Sequence, residues 1–342
     1  MKILAIESSC DEFAVAVVED GIHVLADSVY SQIDLHKAFG GVVPEIAARS
    51  HVEVAIPVIK ECLNNFGGSW DDIDAIAVTT HPGLSGSLLV GTLTARTLAL
   101  IKGKPIFGVD HMEGHIYANW LDANTTETPQ FPALALVVSG GHTQIMLLKS
   151  HSDYEVVGET QDDAVGEVFD KVAKILGLPY PGGPSISVAA ELGDASKYQL
   201  PIPKCANPLD FSFSGLKTAV LRAVQAQVGV DHTFPSFKLR KRLNASQVND
   251  FAASFQSAAV RSLVDTMCRA ADQFSAKTIL LAGGVAANRE LRTKLRDVFG
   301  DRLVVPEFKY CTDNAAMIGA RAYFVSHCQK PDDPLTMDIG VN

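Results

Sequence analysis

Residues 3–6 are apolar, residues 7–12 are polar, and residues 14–18 are apolar again. That spacing predicts a buried strand, a tight polar turn and a second buried strand. The same pattern returns at 133–138 and 144–148, joined by Ser139, Gly140, Gly141, His142 and Thr143. Two such strand-turn-strand units, each followed by mixed strands and helices, predict a duplicated α/β domain with a cleft between the copies.

Between the two units, helical periodicity covers 44–65 and 85–102, with a buried strand at 73–79 and another at 104–109. In the second half, helices are expected over 163–176 and 184–192, then an irregular stretch at 197–245. A long helix follows at 247–274, a strand at 278–282, and helices at 288–299 and 314–327 before a polar tail. The expected division is an N-terminal lobe of residues 1–110, joined by the tail at 328–342, and a C-terminal lobe of residues 111–327.

Candidate chemistry sits at the ends of these elements. His111 and His115, four residues apart, share one face of a helix that opens directly after a buried strand, so they can hold one metal ion or equally form a satisfied core pair. Asp313 stands where the last helix begins, which suits capping or metal binding alike. Asp11 and Glu12, at the first turn, are placed to position a metal, a water or a phosphate-bearing ligand, or are simple turn residues. The Ser139-Gly140-Gly141 turn lacks side chains where backbone amides would cradle a phosphate, though a plain hairpin needs the same glycines. At 281–288 an apolar strand, Gly283-Gly284 and a helix start aim a helix N-terminus at an anion. Neither a GxxxxGK[ST] loop nor a GxGxxG fingerprint occurs.

Composition narrows the class. With 342 residues, 47% of them hydrophobic, the chain can bury a sizeable core. Met1-Lys2 leads into an apolar run broken at Glu7, and no stretch of about 20 apolar residues occurs, so neither a secretory leader nor a membrane span is expected, and a cytoplasmic location is. Six cysteines are scattered without a CxxC pair, which argues against a disulfide frame or a cysteine-rich zinc site. A net charge of −10 gives no general attraction to nucleic acid, so any such substrate needs a local patch. The run Lys238, Arg240, Lys241, Arg242 and the group Arg289, Arg292, Lys294, Arg296 are the two candidates.

Taken in order, the runs at 6–12, 40–49, 81–84, 111–115, 138–143, 211–217, 283–288 and 311–317 resemble one family over nearly the whole chain. It is the TsaD-type tRNA threonylcarbamoyladenosine transferases, and the resemblance implies the two-lobed fold shared by actin, hexokinase and Hsp70 ATPases. It implies that His111, His115 and Asp313 bind a divalent metal, iron(II) first and zinc second. It implies that Val137, Val138, Ser139, Gly140 and Gly141 contact a nucleotide-bearing substrate, with Asp170, Gly183, Ser187 and Asn288 at further substrate positions. Members often carry an acidic residue where this chain has Ser187, which puts one ribose-type contact in doubt. They commonly have Thr where this chain has Phe13.

The implied reaction moves a threonylcarbamoyl group from threonylcarbamoyl-AMP to the N6 amine of adenosine 37 in tRNAs reading ANN codons, with AMP released. Asp11 and Glu12 are the candidates for orienting or deprotonating that amine. Implied partners are tRNA, a paralogue of the same fold without the metal site (TsaB-type) and a small ATPase (TsaE-type). The helix at 44–65, with Ile46, Val54, Val58 and Ile59, supplies a dimer face or packs on its own lobe. Two other readings compete. A metal-dependent (glyco)peptidase would need an acid beside the first histidine, where Met112 stands, Glu113 falling about 100° further round. A nucleotide-gated scaffold would need no transition-metal site.

Overall fold

The computed structural model describes residues 1–122 and 129–340. They divide into two compact units, 1–129 with 306–342, and 130–305. The first begins with β1 (Lys2–Glu7), β2 (Glu12–Glu19) and β3 (His23–Ser31), then α1 (Ile33–Lys37) and α2 (Pro44–Phe66). It continues through β4 (Ala75–His81), α3 (Ser85–Lys102), β5 (Ile106–Asp110) and α4 (His111–Tyr117). The strands order as β3-β2-β1-β4-β5. β1 runs antiparallel to β2, with Leu4 opposite Val17, and parallel to β4.

The second unit contains β6 (Ala133–Val138), β7 (Thr143–Leu148), β8 (Tyr154–Glu159), α5 (Val165–Leu176), α6 (Gly182–Ala190), α7 (Ser214–Gln227) and α8 (Ser236–Leu239). Then come α9 (Ala245–Phe274), β9 (Thr278–Ala282), α10 (Arg289–Phe299) and the two-residue β10 (Leu303–Val304). Its sheet orders as β10-β9-β6-β7-β8, with β6 antiparallel to β7 and parallel to β9. Read from the first strand of each unit, the two topologies are the same. The chain then returns to the first unit with α11 (Ala315–Ser326).

Strand alternation decides how the first sheet is covered. Leu4 and Ile6 face α2 and α3, where Val58, Ile59, Cys62 and Ala95 complete the core. Ala5 and Val18 face α11, whose Gly319 lies so close that a Cβ there would stand 2.7 Å from Val18. This packing of α11 on β1 and β2 moves the unit boundary: the sequence put the divide at residue 110 and left 111–327 together, but α4 and α11 pack on each other and on the first sheet. Val58 and Ile59 belong to the core of their own unit and Val54 packs against it, so they offer no dimer face.

β3, β8 and α7 are among the elements that were not expected. β3 and β8 are edge strands with mostly exposed, mixed residues, so they carry no apolar run. In the stretch expected to be irregular, α7 forms because Asp162, fifty residues earlier, accepts from Phe213 N at 2.8 Å and Ser214 N at 3.2 Å. The cap comes from outside the helix's own sequence window. No helix among the described residues is long and apolar enough to cross a membrane.

Candidate active site

In the first unit, Asp110 ends β5 and caps α4, its carboxylate accepting from Met112 N at 2.7 Å and Glu113 N at 3.0 Å. The helix therefore starts at His111, and His115 follows one turn later on the same side. Their rings meet edge to face at 4.5 Å. Across from them, Asp313 Oδ1 lies 3.5 Å from His111 Nε2 and 3.2 Å from His115 Nε2. The two roles open to Asp313 from sequence are separated here, because the cap of α11 is Asn314, whose side chain accepts from Met317 N at 2.9 Å. Asp313 is left free to face the histidines.

The donor set fits a metal ion. One ligand atom from each of His111, His115 and Asp313 falls within 4.8 Å of the others. Bonds of about 2.1 Å in a tetrahedral site separate ligand atoms by about 3.4 Å, close to the two distances above. The Asp313 side chain keeps 21% of its surface accessible, so the site is approachable.

Behind His111 stands Glu7, a residue sequence reasoning missed. Its Oε2 lies 3.1 Å from His111 Nδ1, its Oε1 accepts from Ser9 N, and Thr79 donates to it as well. A carboxylate on the far ring nitrogen fixes the tautomer and turns Nε2 toward Asp313. In sequence it is only a charged residue ending an apolar run, and its burial and its partner are visible in the structure alone. Burial disfavours a charged His111, but the carboxylates of Glu7 and Asp313 outweigh it and raise its pKa to about 9. Burial likewise opposes ionisation of Asp313, yet His111 and then His115 hold its carboxyl down at about 2.

The loop bearing Asp11 is held by its carbonyls. Leu84 N donates to Ser9 O at 2.8 Å, and Gln32 N donates to Asp11 O at 3.1 Å. His51 Nε2 reaches Cys10 O at 3.0 Å, and since a carbonyl only accepts, that nitrogen carries the proton. Its Nδ1 then accepts from Gln32 Nε2 at 3.0 Å. Glu12, at the start of β2, is pushed up to about 9 by burial and then by the Asp313 and Asp11 carboxylates. Ser31 Oγ donates to Glu12 Oε1 at 3.0 Å. Glu113 is engaged elsewhere: it pairs with the buried Arg321 of α11, which also donates to Tyr117 Oη at 3.1 Å.

The second unit holds the remaining predicted residues, and side-chain contacts join some of them. Val137 and Val138 are buried in β6 and offer backbone only. Gly283, at φ 88°, presses on Val138, where a Cβ would stand 2.5 Å from its carbonyl oxygen. Gly166 of α5 packs against the carbonyl of Ser139. One turn on, Asp170 accepts from Gly182 N at 2.6 Å, which places Gly183 beside it. Burial pushes the Asp170 carboxyl up, against the pull of that N–H. Ser187 Oγ donates to Gln256 Oε1 at 2.9 Å, and Asn288 Nδ2 reaches the same oxygen at 2.8 Å. Gln256 is thus a member that the sequence reading did not find. Gly140, Gly141, Gly183 and Gly284 have nothing within 4 Å of where a Cβ would lie. Bare backbone facing open space is the surface a flat or phosphate-bearing ligand needs.

Two sheets of one strand order define the duplicated α/β fold of the actin, hexokinase and Hsp70 class. A solved structure of HypF from T. kodakarensis shares it, with a TM-score of 0.64 at 14% identity, covering 96% of this chain and 48% of that one. The TsaD family, tRNA N6-adenosine threonylcarbamoyltransferase, matches residues 23–320. Proteins of that name from Thermomicrobium roseum and Symbiobacterium thermophilum are 48% and 49% identical, over 95% and 94% of this chain and 92% and 91% of theirs. The chain belongs to the TsaD family and is an acyltransferase-type enzyme.

Proposed function

We propose that the chain transfers the threonylcarbamoyl group of threonylcarbamoyl-AMP to N6 of adenosine 37 in tRNAs reading ANN codons. The observation that carries this reading is Asp313, released from capping by Asn314 and facing both imidazole Nε2 atoms. His111, His115 and Asp313 would hold iron(II) or zinc. A divalent ion there supplies Lewis acidity toward the donor's carbonyl. Bare amides at Gly140, Gly141, Gly183 and Gly284 hold the AMP part, with Asp170 and Asn288 at its hydroxyl groups. As the amine nitrogen bonds to the carbamoyl carbon, the bond from that carbon to the phosphate oxygen breaks and AMP leaves. Asp11 and Glu12 orient the amine, and its proton passes to a carboxylate of that pair. An adenine amine is a weak nucleophile, so positioning against an already activated donor contributes most of the acceleration.

The peptidase reading loses its general base, because Glu113 is tied to Arg321. A metal-free paralogue and a small ATPase are the proposed partners, in a cytoplasmic setting. Val52 and Ile56 on α2, and Leu89 and Leu93 on α3, are exposed at 66%, 55%, 43% and 48%, which supports a protein partner on that helical face. The test is anaerobic purification with elemental analysis, then incubation with ATP, bicarbonate, threonine and tRNA, with and without the adenylate-forming enzyme. His111→Ala and His115→Ala should lose both metal and tRNA modification while the fold persists. Full modification by a metal-free variant would refute the assignment.

A further inference from the structure

The two basic groups of the second unit differ in what their charges already do. In α10, Arg292 Nε donates to Ala286 O at 2.6 Å, and Arg296 donates to Leu303 O at 2.9 Å. Arg289 faces Glu191 at 3.6 Å. These guanidinium groups are committed to holding α10 on its neighbours. Lys238, Arg240, Lys241 and Arg242 are all exposed, and among the described residues none of them forms an ion pair. Four unneutralised cations in five residues repel one another, in a chain whose net charge is −10.

Their scaffold is fixed. Leu239 is fully buried, and the Arg240 stem lies over Gly177 at the end of α5, where a Cβ would stand 2.7 Å from Arg240 Cβ. Beside them the Phe237 ring is 64% exposed, with Lys238 Nζ 5.8 Å from its centroid. The Arg242 guanidinium sits 4.7 Å over Phe234. Apolar area left in water next to free cations suits a ligand with both phosphates and flat bases. Single-stranded RNA is that ligand.

We propose that segment 237–242 is an RNA-binding surface, with Lys238, Arg240, Lys241 and Arg242 on phosphates and Phe237 stacking on an unpaired base. It rests on the reading that tRNA is the substrate. The position supports it: α5 carries Asp170 at the glycine-lined cradle and ends seven residues later at Gly177, under Arg240, about 10 Å along the helix axis.

The test measures binding of an unmodified transcript of an ANN-reading tRNA against salt concentration, for the chain with its partner proteins. Arg240→Gln with Arg242→Gln, which keeps the aliphatic stems, should weaken binding at least about tenfold at low salt and flatten the log–log salt slope by about 0.7 for each phosphate no longer neutralised. Phe237→Ala should weaken binding about tenfold with the slope unchanged. Adenine-nucleotide binding and melting temperature should stay at wild-type values in each. Wild-type affinity and slope in both variants overturn the proposal, as does a loss of partner binding with tRNA binding intact, which would make the segment a protein contact. A wild-type protein that binds no tRNA overturns the functional reading instead, so the two failures are distinguishable.

Discussion

The turn between the first two strands is built in opposite ways in the two units. After β1 it is filled: Ser8, Ser9 and Asp11 are buried and every carbonyl from Ser9 to Asp11 has a donor. After β6 it is emptied, with Gly140 and Gly141 facing open space. Yet both units meet the same packing constraint one strand over. Gly83, after β4, lies where a Cβ would stand 2.7 Å from Ser9 O, and Gly283, after β9, where it would stand 2.5 Å from Val138 O. The shared topology dictates a glycine where the next parallel strand ends against the first. What the turn carries is free to vary, and here one copy became a rigid frame for side-chain chemistry and the other a backbone surface for a ligand.

This contrast breaks most visibly if the side-chain site is not what organises the first unit. Asp313→Ala should lower metal affinity and tRNA modification by more than about a hundredfold, beyond what loss of an outer-shell partner costs, with little change in melting temperature. Asn314→Ala should do the reverse, costing about 1 kcal/mol of stability through the lost cap while metal is retained. Chelator competition and thermal denaturation of the two variants side by side check this. If Asp313→Ala unfolds the chain and keeps its metal, the assignment of the two residues is inverted.

Next in size is Glu7→Gln. The amide keeps one acceptor oxygen, so it can take the bond from Ser9 N at the Oε1 position or that from Thr79 at the Oε2 position but not both, and it no longer carries charge against His111. Metal affinity should fall about 10- to 100-fold, read by competition with a chromophoric chelator. Unchanged affinity would show that packing alone orients His111. Glu7 also shows where sequence reading stops. β1, β2, β6 and β7 were legible because short apolar runs broken by polar turns fold as little else than buried strands, and the His111–His115 spacing was legible because four residues make one helical turn. Glu7 belongs to the site through a partner 104 residues away. Gln256 enters the cradle the same way, from the middle of α9. The cap of α7 and the packing of α11 on the first sheet are likewise long-range facts with no local signature.

A third test sets two adjacent glycines against each other. Gly283→Ala must adopt a backbone at φ 88° that L-residues avoid and must push on Val138 O, so it should cost about 1–3 kcal/mol. A Cβ at Gly284 meets nothing within 4 Å, so Gly284→Val should leave the melting temperature nearly unchanged while weakening adenine-nucleotide binding by calorimetry. Wild-type nucleotide affinity in Gly284→Val would remove that position from the cradle.

The smallest effect concerns how the second unit holds its pieces together without a filled turn. Asp163, two residues before α5, takes Lys217 of α7 at 2.7 Å and Lys171 of α5 at 3.1 Å, next to Asp162, which caps α7. Burial works against its ionisation, but the hydrogen bonds from Lys217 and then Lys171 prevail and bring its carboxyl down to about 2. An unfolded aspartate titrates near ~4, so its folded pKa is depressed, and the ionised form contributes stability that is complete above that value. The contribution fades as pH falls from there through about 2. Asp163→Asn should therefore destabilise the chain slightly at pH 7 and progressively less as pH falls through about 2, so the urea midpoints of variant and parent converge in acid. Parallel midpoints across that window would mean that the lysines find water as good a partner, and that the α5–α7 junction rests on the Asp162 cap and apolar packing alone.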